Sequence, residues 1–166
     1  MIKLASKFNS SSFVEKLLTV LATVIGLSWL ITTSLGLKIG YDPQNKSCLD
    51  FTVSLIHQDK AHQFKPGEIL AFNPEVIMPG KFQDVLLGKL VVGVPGDTIN
   101  SSSLGVYING KKIVDDFPVS EPVFAYTGKI PDGQYFGIGT VKGSYDSRYF
   151  GFIPQSAIYG AVKPIY

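Results

Sequence analysis

Lys89-Leu90-Val91-Val92-Gly93-Val94-Pro95-Gly96-Asp97 sets a lysine in an apolar, β-branched run that closes on a Pro-Gly-Asp turn. Such a run followed by Pro-Gly reads as a strand entering a tight turn. Leu86, Leu87, Leu90, Val91, Val92 and Val94 flank Lys89, and a lysine is seldom found in such company, because burying an ammonium is costly. Two readings follow. Lys89 is either an edge-strand lysine that blocks sheet-to-sheet aggregation or a buried amine used as a base. A base must be neutral to take up a proton, and apolar surroundings disfavour the charged form.

Working outward, the chain beyond residue 40 keeps the same character. Phe51 to Ile56, Ile69 to Phe72, Gln134 to Ile138 and Ile158 to Pro164 read as strands. Asn109-Gly110 separates Val106-Tyr107-Ile108 from Lys111-Lys112-Ile113-Val114, the signature of a hairpin with a two-residue turn. Helical character is confined to a turn between Glu75 and Leu87. The expectation is a mainly β domain built on antiparallel sheet, spanning residues 39–166.

Residues 1–38 are different. Leu17 to Leu37 is a run of 21 residues without a charge. As a helix it reaches ~30 Å, the thickness of a bilayer core. A signal-peptide core runs only about 7–15 apolar residues, so a retained transmembrane anchor is expected. A cleavable signal ending near Thr32-Thr33-Ser34 is the alternative. Lys3, Lys7 and Lys16, opposed only by Glu15, place the amino terminus in the cytoplasm and residues 39–166 in the periplasm, on the inner membrane. From residue 39 onward eleven basic side chains face twelve acidic ones, which leaves no basic patch for nucleic acid. Cys48 is the only cysteine, so no internal disulfide forms. His57 and His62 fall in a polar stretch read as an exposed loop, and their spacing fits no helical zinc pair. No metal or cofactor is implied.

The order of these pieces resembles the type I signal peptidase family, membrane-anchored proteases with a serine nucleophile and a lysine base. The resemblance rests on the apolar run, Ser47, Lys89 ahead of Gly93-Val94-Pro95-Gly96-Asp97, and Gly143-Ser144-Tyr145-Asp146-Ser147-Arg148-Tyr149-Phe150-Gly151. The shortened segment Gly139-Thr140-Val141-Lys142-Gly143-Ser144 looks most like the conjugative-transfer (TraF-type) branch, whose members mature pilins.

The resemblance implies Ser47 as nucleophile, Lys89 as base, Ser144 as the hydroxyl that orients the lysine, and Asp146 with Arg148 as a clamp bracing the loop. It also implies that Asn45 supports the oxyanion hole beside the N–H of Ser47. A free serine hydroxyl is a poor nucleophile without such a base. Arg148 is the only arginine among fifteen basic residues, which suits a bidentate fork that lysine cannot supply; the plainer reading is a surface ion pair.

The implied partner is a membrane-tethered, prepilin-like precursor, held as an added strand and carrying small residues, often alanine, on the acyl side of the cut. Ten residues separate Leu37 from Ser47, a reach of at most ~33 Å, so the site stays near the lipid bilayer. Two departures stand out. The family places proline three residues after the serine, where this chain has Asp50, and Gly-Asp-Asn where it has Gly139-Thr140-Val141. Cys48 is the alternative nucleophile. A non-catalytic assembly component of a conjugative pilus or secretion apparatus is the alternative function. The self-cleaving repressors, which share the Ser–Lys pair, carry a DNA-binding domain where this chain has the apolar run.

Overall fold

The computed structural model of the chain describes residues 10–42, 48–114, 123–141 and 143–165. Two compact units meet in the chain at Gly36 and Leu37. In the first, the described residues form a helix, α1 (Ser10–Ser34), whose stretch Phe13–Ser34 is long and apolar enough to cross a membrane. Its threonines are accommodated by back-bonding. Thr19 Oγ1 donates to Glu15 O and Thr23 Oγ1 to Thr19 O, each at 2.8 Å. Thr33 Oγ1 likewise reaches Trp29 O at 2.8 Å. Each hydroxyl is thereby satisfied without water.

The apolar run continues to Leu37, but the helix does not. Gly36 takes a φ of 62°, the left-handed conformation that ends many helices. Leu37 then opens a strand.

Among the described residues the second unit carries eleven strands. They are β1 (Leu37–Tyr41), β2 (Val53–Gln58), β3 (Ile69–Phe72), β4 (Leu87–Gly93), β5 (Thr98–Ser102), β6 (Gly105–Ile108), β7 (Lys111–Val114), β8 (Tyr126–Lys129), β9 (Gln134–Ile138), β10 (Ile153–Pro154) and β11 (Ile158–Pro164). Seven form one sheet in the order β1-β2-β11-β3-β4-β9-β10, and four form another, β7-β6-β5-β8. Every pairing is antiparallel. The fold is therefore mainly β, as expected. The helical turn expected between Glu75 and Leu87 is a single 3₁₀ turn, Pro74–Val76, capped by Asn73. His57 is not in a loop but exposed on β2, where it pairs with Leu37 and Ala161.

Three apolar clusters hold this unit together, the smallest being Ile56, Ala71 and Val162. Leu70, Phe72, Val91, Tyr135 and Ile153 lie on one face of the large sheet with Phe64. Ile99, Val106 and Ile108 of the small sheet pack with Phe136 and Ile138 of β9. Burying each such side chain contributes about 1.5–3 kcal/mol. Turns set the registers. Asn109 (φ 50°) and Gly110 (φ 78°) make the two-residue hairpin turn that brings Ile108 opposite Lys111. Asp97 accepts from Val94 N at 3.0 Å and from Asn109 Nδ2 at 2.8 Å, tying the Pro95-Gly96 turn to that hairpin.

A second Pro-Gly turn leads into β3. Glu68 N donates to Lys65 O across Pro66-Gly67. The Glu68 carboxylate accepts from Lys65 N at 2.8 Å and lies 3.2 Å from His62 Nε2. The Lys65 N–H, with smaller help from His62 and against partial burial, holds the Glu68 carboxyl below its ordinary value of 4.5. A lowered carboxyl pKa adds stability above the ordinary value and loses it as pH falls through the folded one. Glu68→Gln keeps the acceptor and removes the charge. It should lower the thermal midpoint at neutral pH, and the gap from wild type should close as the buffer is taken below pH 4.5. A gap that stayed constant with pH would remove the charge from the explanation.

Candidate active site

Lys89 lies on an interior strand of the large sheet. Strand β4 runs between β3 and β9, with Lys89 opposite Leu70. The edge-strand reading is therefore excluded. The side chain is fully buried, on the same side of the strand as Val91. Its stem has room because residue 137 is glycine; a Cβ there would stand 2.9 Å from Lys89 Cβ. The amine donates to Ser144 Oγ at 3.0 Å, and Ser144 is itself buried. Among the described residues no carboxylate pairs with Lys89.

Ser144 reaches the lysine because its loop is bound to the end of β9. The short helix α2 (Ser147–Phe150) begins after Asp146, whose side chain caps Arg148 N at 3.2 Å. Asp146 is fully buried and Arg148 nearly so, which rules out a surface ion pair. The guanidinium is forked onto the carboxylate, Nε to Oδ1 at 2.7 Å and Nη2 to Oδ2 at 2.8 Å. Nη2 also reaches Ser144 O at 3.2 Å. β10 pairs with β9 only at Gln134 and Tyr135. Beyond them, Gly137 N donates to Ser147 Oγ at 3.0 Å and Gly139 N to Asp146 Oδ2 at 2.8 Å. Those side chains stand in for a missing strand. Gly139 has no room for a side chain, since a Cβ there would overlap Ser144 and crowd Cys48 O.

The segment that follows Ser47 in the chain comes to this same place. Thr140 N donates to Cys48 O at 2.8 Å. Buried Leu49 lies over Gly88, the residue before Lys89. A largely apolar cavity of about 430 Å³ opens alongside, lined among others by Cys48, Leu49, Phe82, Leu86, Gly88 and Lys89. Of the sequence-selected residues, Lys89, Ser144, Asp146 and Arg148 thus meet in one buried network. Ser47 and Asn45 lie outside the described residues. Ser147 and Leu49 carry no signal of their own in the sequence, and Thr140 shows there only as a departure from the family pattern.

This chain matches the family described as signal peptidase, peptidase S26, over residues 12–166, and it belongs to that family. It is 38% identical over 97 residues to a probable signal peptidase I-2 of Synechocystis sp., covering 57% of this chain and 44% of that protein. It is 29% identical over 102 residues to the conjugal transfer protein TraF of Agrobacterium fabrum, covering 54% of this chain and 53% of that one. A crystal structure of a signal peptidase I from Enterococcus faecalis is 26% identical, with a TM-score of 0.43, covering 61% of this chain and 98% of that one. The chain spans about half the length of the curated relatives it matches.

The fork gives a structural test. Arg148→Ala leaves Asp146 buried without its cation and should cost about 3–5 kcal/mol in denaturant unfolding, the range for breaking a buried pair. Arg148→Lys should recover little of this, because one ammonium cannot fork onto both oxygens. A loss below about 1 kcal/mol, typical of exposed pairs, would contradict the burial seen here.

Proposed function

We propose that this protein is a membrane-anchored serine endopeptidase in which Ser47 is the nucleophile and Lys89 the general base. The observation that carries the reading is the buried Lys89 Nζ to Ser144 Oγ bond at 3.0 Å, on the residue to which the resemblance assigns the role of base. Neutral Lys89 takes the Ser47 proton as the hydroxyl attacks the scissile carbonyl carbon. The oxyanion is met by the N–H of Ser47, with Asn45 as a second donor. As the tetrahedral adduct collapses, Lys89 returns the proton to the departing amine, and water then cleaves the acyl ester by the same route. Ser144 holds the amine, while Asp146 and Arg148 hold Ser144. The apolar cavity beside Lys89 suits the side chains of an extended precursor strand.

The proposed substrate is an exported, membrane-tethered precursor, and within that class a pilin of a conjugative transfer system. The short loop between Gly139 and Ser144 and the likeness to TraF support the narrower choice. The proposed setting is the inner membrane, with α1 as the anchor and residues 39–166 in the periplasm.

Cleavage of a candidate prepilin or signal-bearing precursor by the full chain in proteoliposomes tests this. Ser47→Ala should reduce cleavage by about 10⁴-fold or more while leaving the protein in the membrane. Lys89→Arg should be as inactive as Lys89→Ala, since a guanidinium does not give up its proton. Ser144→Ala should lose less, on the order of tenfold, the scale of one hydrogen bond. Full activity in Lys89→Arg would end the dyad reading, and loss of activity in Cys48→Ala but not Ser47→Ala would move the nucleophile to Cys48.

Orientation has its own test. A reporter fused after Tyr166 should be active outside the cytoplasm, and the mature protein should retain its first residues. Amino-terminal sequencing that begins near Leu35 would mean that the apolar helix is a removed signal.

A further inference from the structure

Thr140 grips the segment after Ser47 at both ends. Its backbone N–H donates to Cys48 O at 2.8 Å, and its side-chain Oγ1 accepts from Asp50 N at 3.1 Å. Leu49, between them, is 5% exposed and sits over Gly88, where a Cβ would stand 3.0 Å from Leu49 Cδ1. Residues 48–50 are thus fastened to the end of β9 and to β4 one residue before Lys89.

One of these contacts exists only because residue 50 is not proline. A proline has no N–H to donate. The pattern this chain resembles has proline at position 50 and Gly-Asp-Asn in place of Gly139-Thr140-Val141. The two departures are therefore in contact with each other: residue 50 has an N–H, and residue 140 has a hydroxyl placed to accept it. A proline stiffens a segment by fixing φ; a hydrogen bond to a neighbouring loop restrains the same segment by another route.

We propose that Thr140 is a positioning residue for the reaction, its hydroxyl and the Asp50 N–H together doing the work of the absent proline in holding the Ser47 segment for attack. This rests on the Ser47–Lys89 reading. The backbone bond from Thr140 to Cys48 survives any side-chain change, so variants at 140 remove the clamp and leave the fold.

Hydrogen exchange and steady-state kinetics on the full-length enzyme test the proposal together. Thr140→Val should expose the Asp50 amide to faster exchange and lower kcat about three- to tenfold with KM little changed, the scale of a single hydrogen bond. Thr140→Ser restores the acceptor and should restore both readings. Asp50→Pro should partly rescue kcat in the Thr140→Val background, because the ring supplies the lost stiffness. The kinetic probe is a peptide with alanine on the acyl side of the scissile bond, cleaved by wild type and not by Ser47→Ala. Unchanged exchange at Asp50 in Thr140→Val overturns the clamp whatever the enzyme cleaves. Faster exchange with unchanged kcat, or Thr140→Ser behaving as Thr140→Val, overturns the positioning role. Undiminished cleavage by Ser47→Ala overturns the underlying dyad instead, and exchange at Asp50 still reports on the clamp.

Discussion

A buried lysine whose amine meets a hydroxyl and, among the described residues, no carboxylate is the constraint around which the rest of this domain is arranged. A carboxylate can hold only the ammonium form, by charge. A hydroxyl both donates and accepts, so it keeps the nitrogen in place whether or not the extra proton is present. That is the partner the proposed base role of Lys89 calls for. It also forces the architecture. The lysine must be buried, so it sits on a strand flanked on both sides, and the hydroxyl must be delivered to it from a loop that has no strand partner of its own.

Delivery of Ser144 explains the crowding of polar groups behind it. The N–H groups of Gly137 and Gly139 at the end of β9 are claimed by Ser147 and Asp146, so the loop docks through bonds that a neighbouring strand supplies elsewhere in the sheet. The same end of β9 receives the segment after Ser47 through Thr140. Loop and segment are therefore fastened to one short stretch of backbone beside Lys89. Motion of either relative to the lysine requires breaking bonds to Gly139 or Thr140.

Much of this was legible in the sequence, for physical reasons that differ from residue to residue. Lys89 stood out because an apolar strand run tolerates a lysine poorly, and Asn109-Gly110 because it forces positive φ. Arg148 stood out because it is the single arginine. The strands that escaped detection lack such marks. β5 is Thr-Ile-Asn-Ser-Ser, and only the burial of Ile99 and Ser101 betrays its alternation. β8 carries Gly128 at a φ of 153°, and β1 begins on the last residue of the apolar run, just past the left-handed Gly36 that ends the helix. Thr140 was illegible in its role, because its meaning depends on the N–H of a residue 90 positions away.

The choice of arginine at 148 follows from the choice of hydroxyl at 144. The loop carries a buried carboxylate, Asp146, into the same network as a buried lysine, and a free carboxylate there would compete for the amine. Four N–H donors occupy it instead: Gly139 N, Arg148 N, Arg148 Nε and Arg148 Nη2. A lysine at 148 has three donors radiating from one nitrogen and cannot span both oxygens in the plane of the carboxylate. The guanidinium does so, and the second N–H of the same Nη2 holds the Ser144 carbonyl. Saturating Asp146 in this way leaves its charge committed to Arg148, and among the described residues the Lys89 amine keeps Ser144 as a neutral partner, as the proposed base role requires.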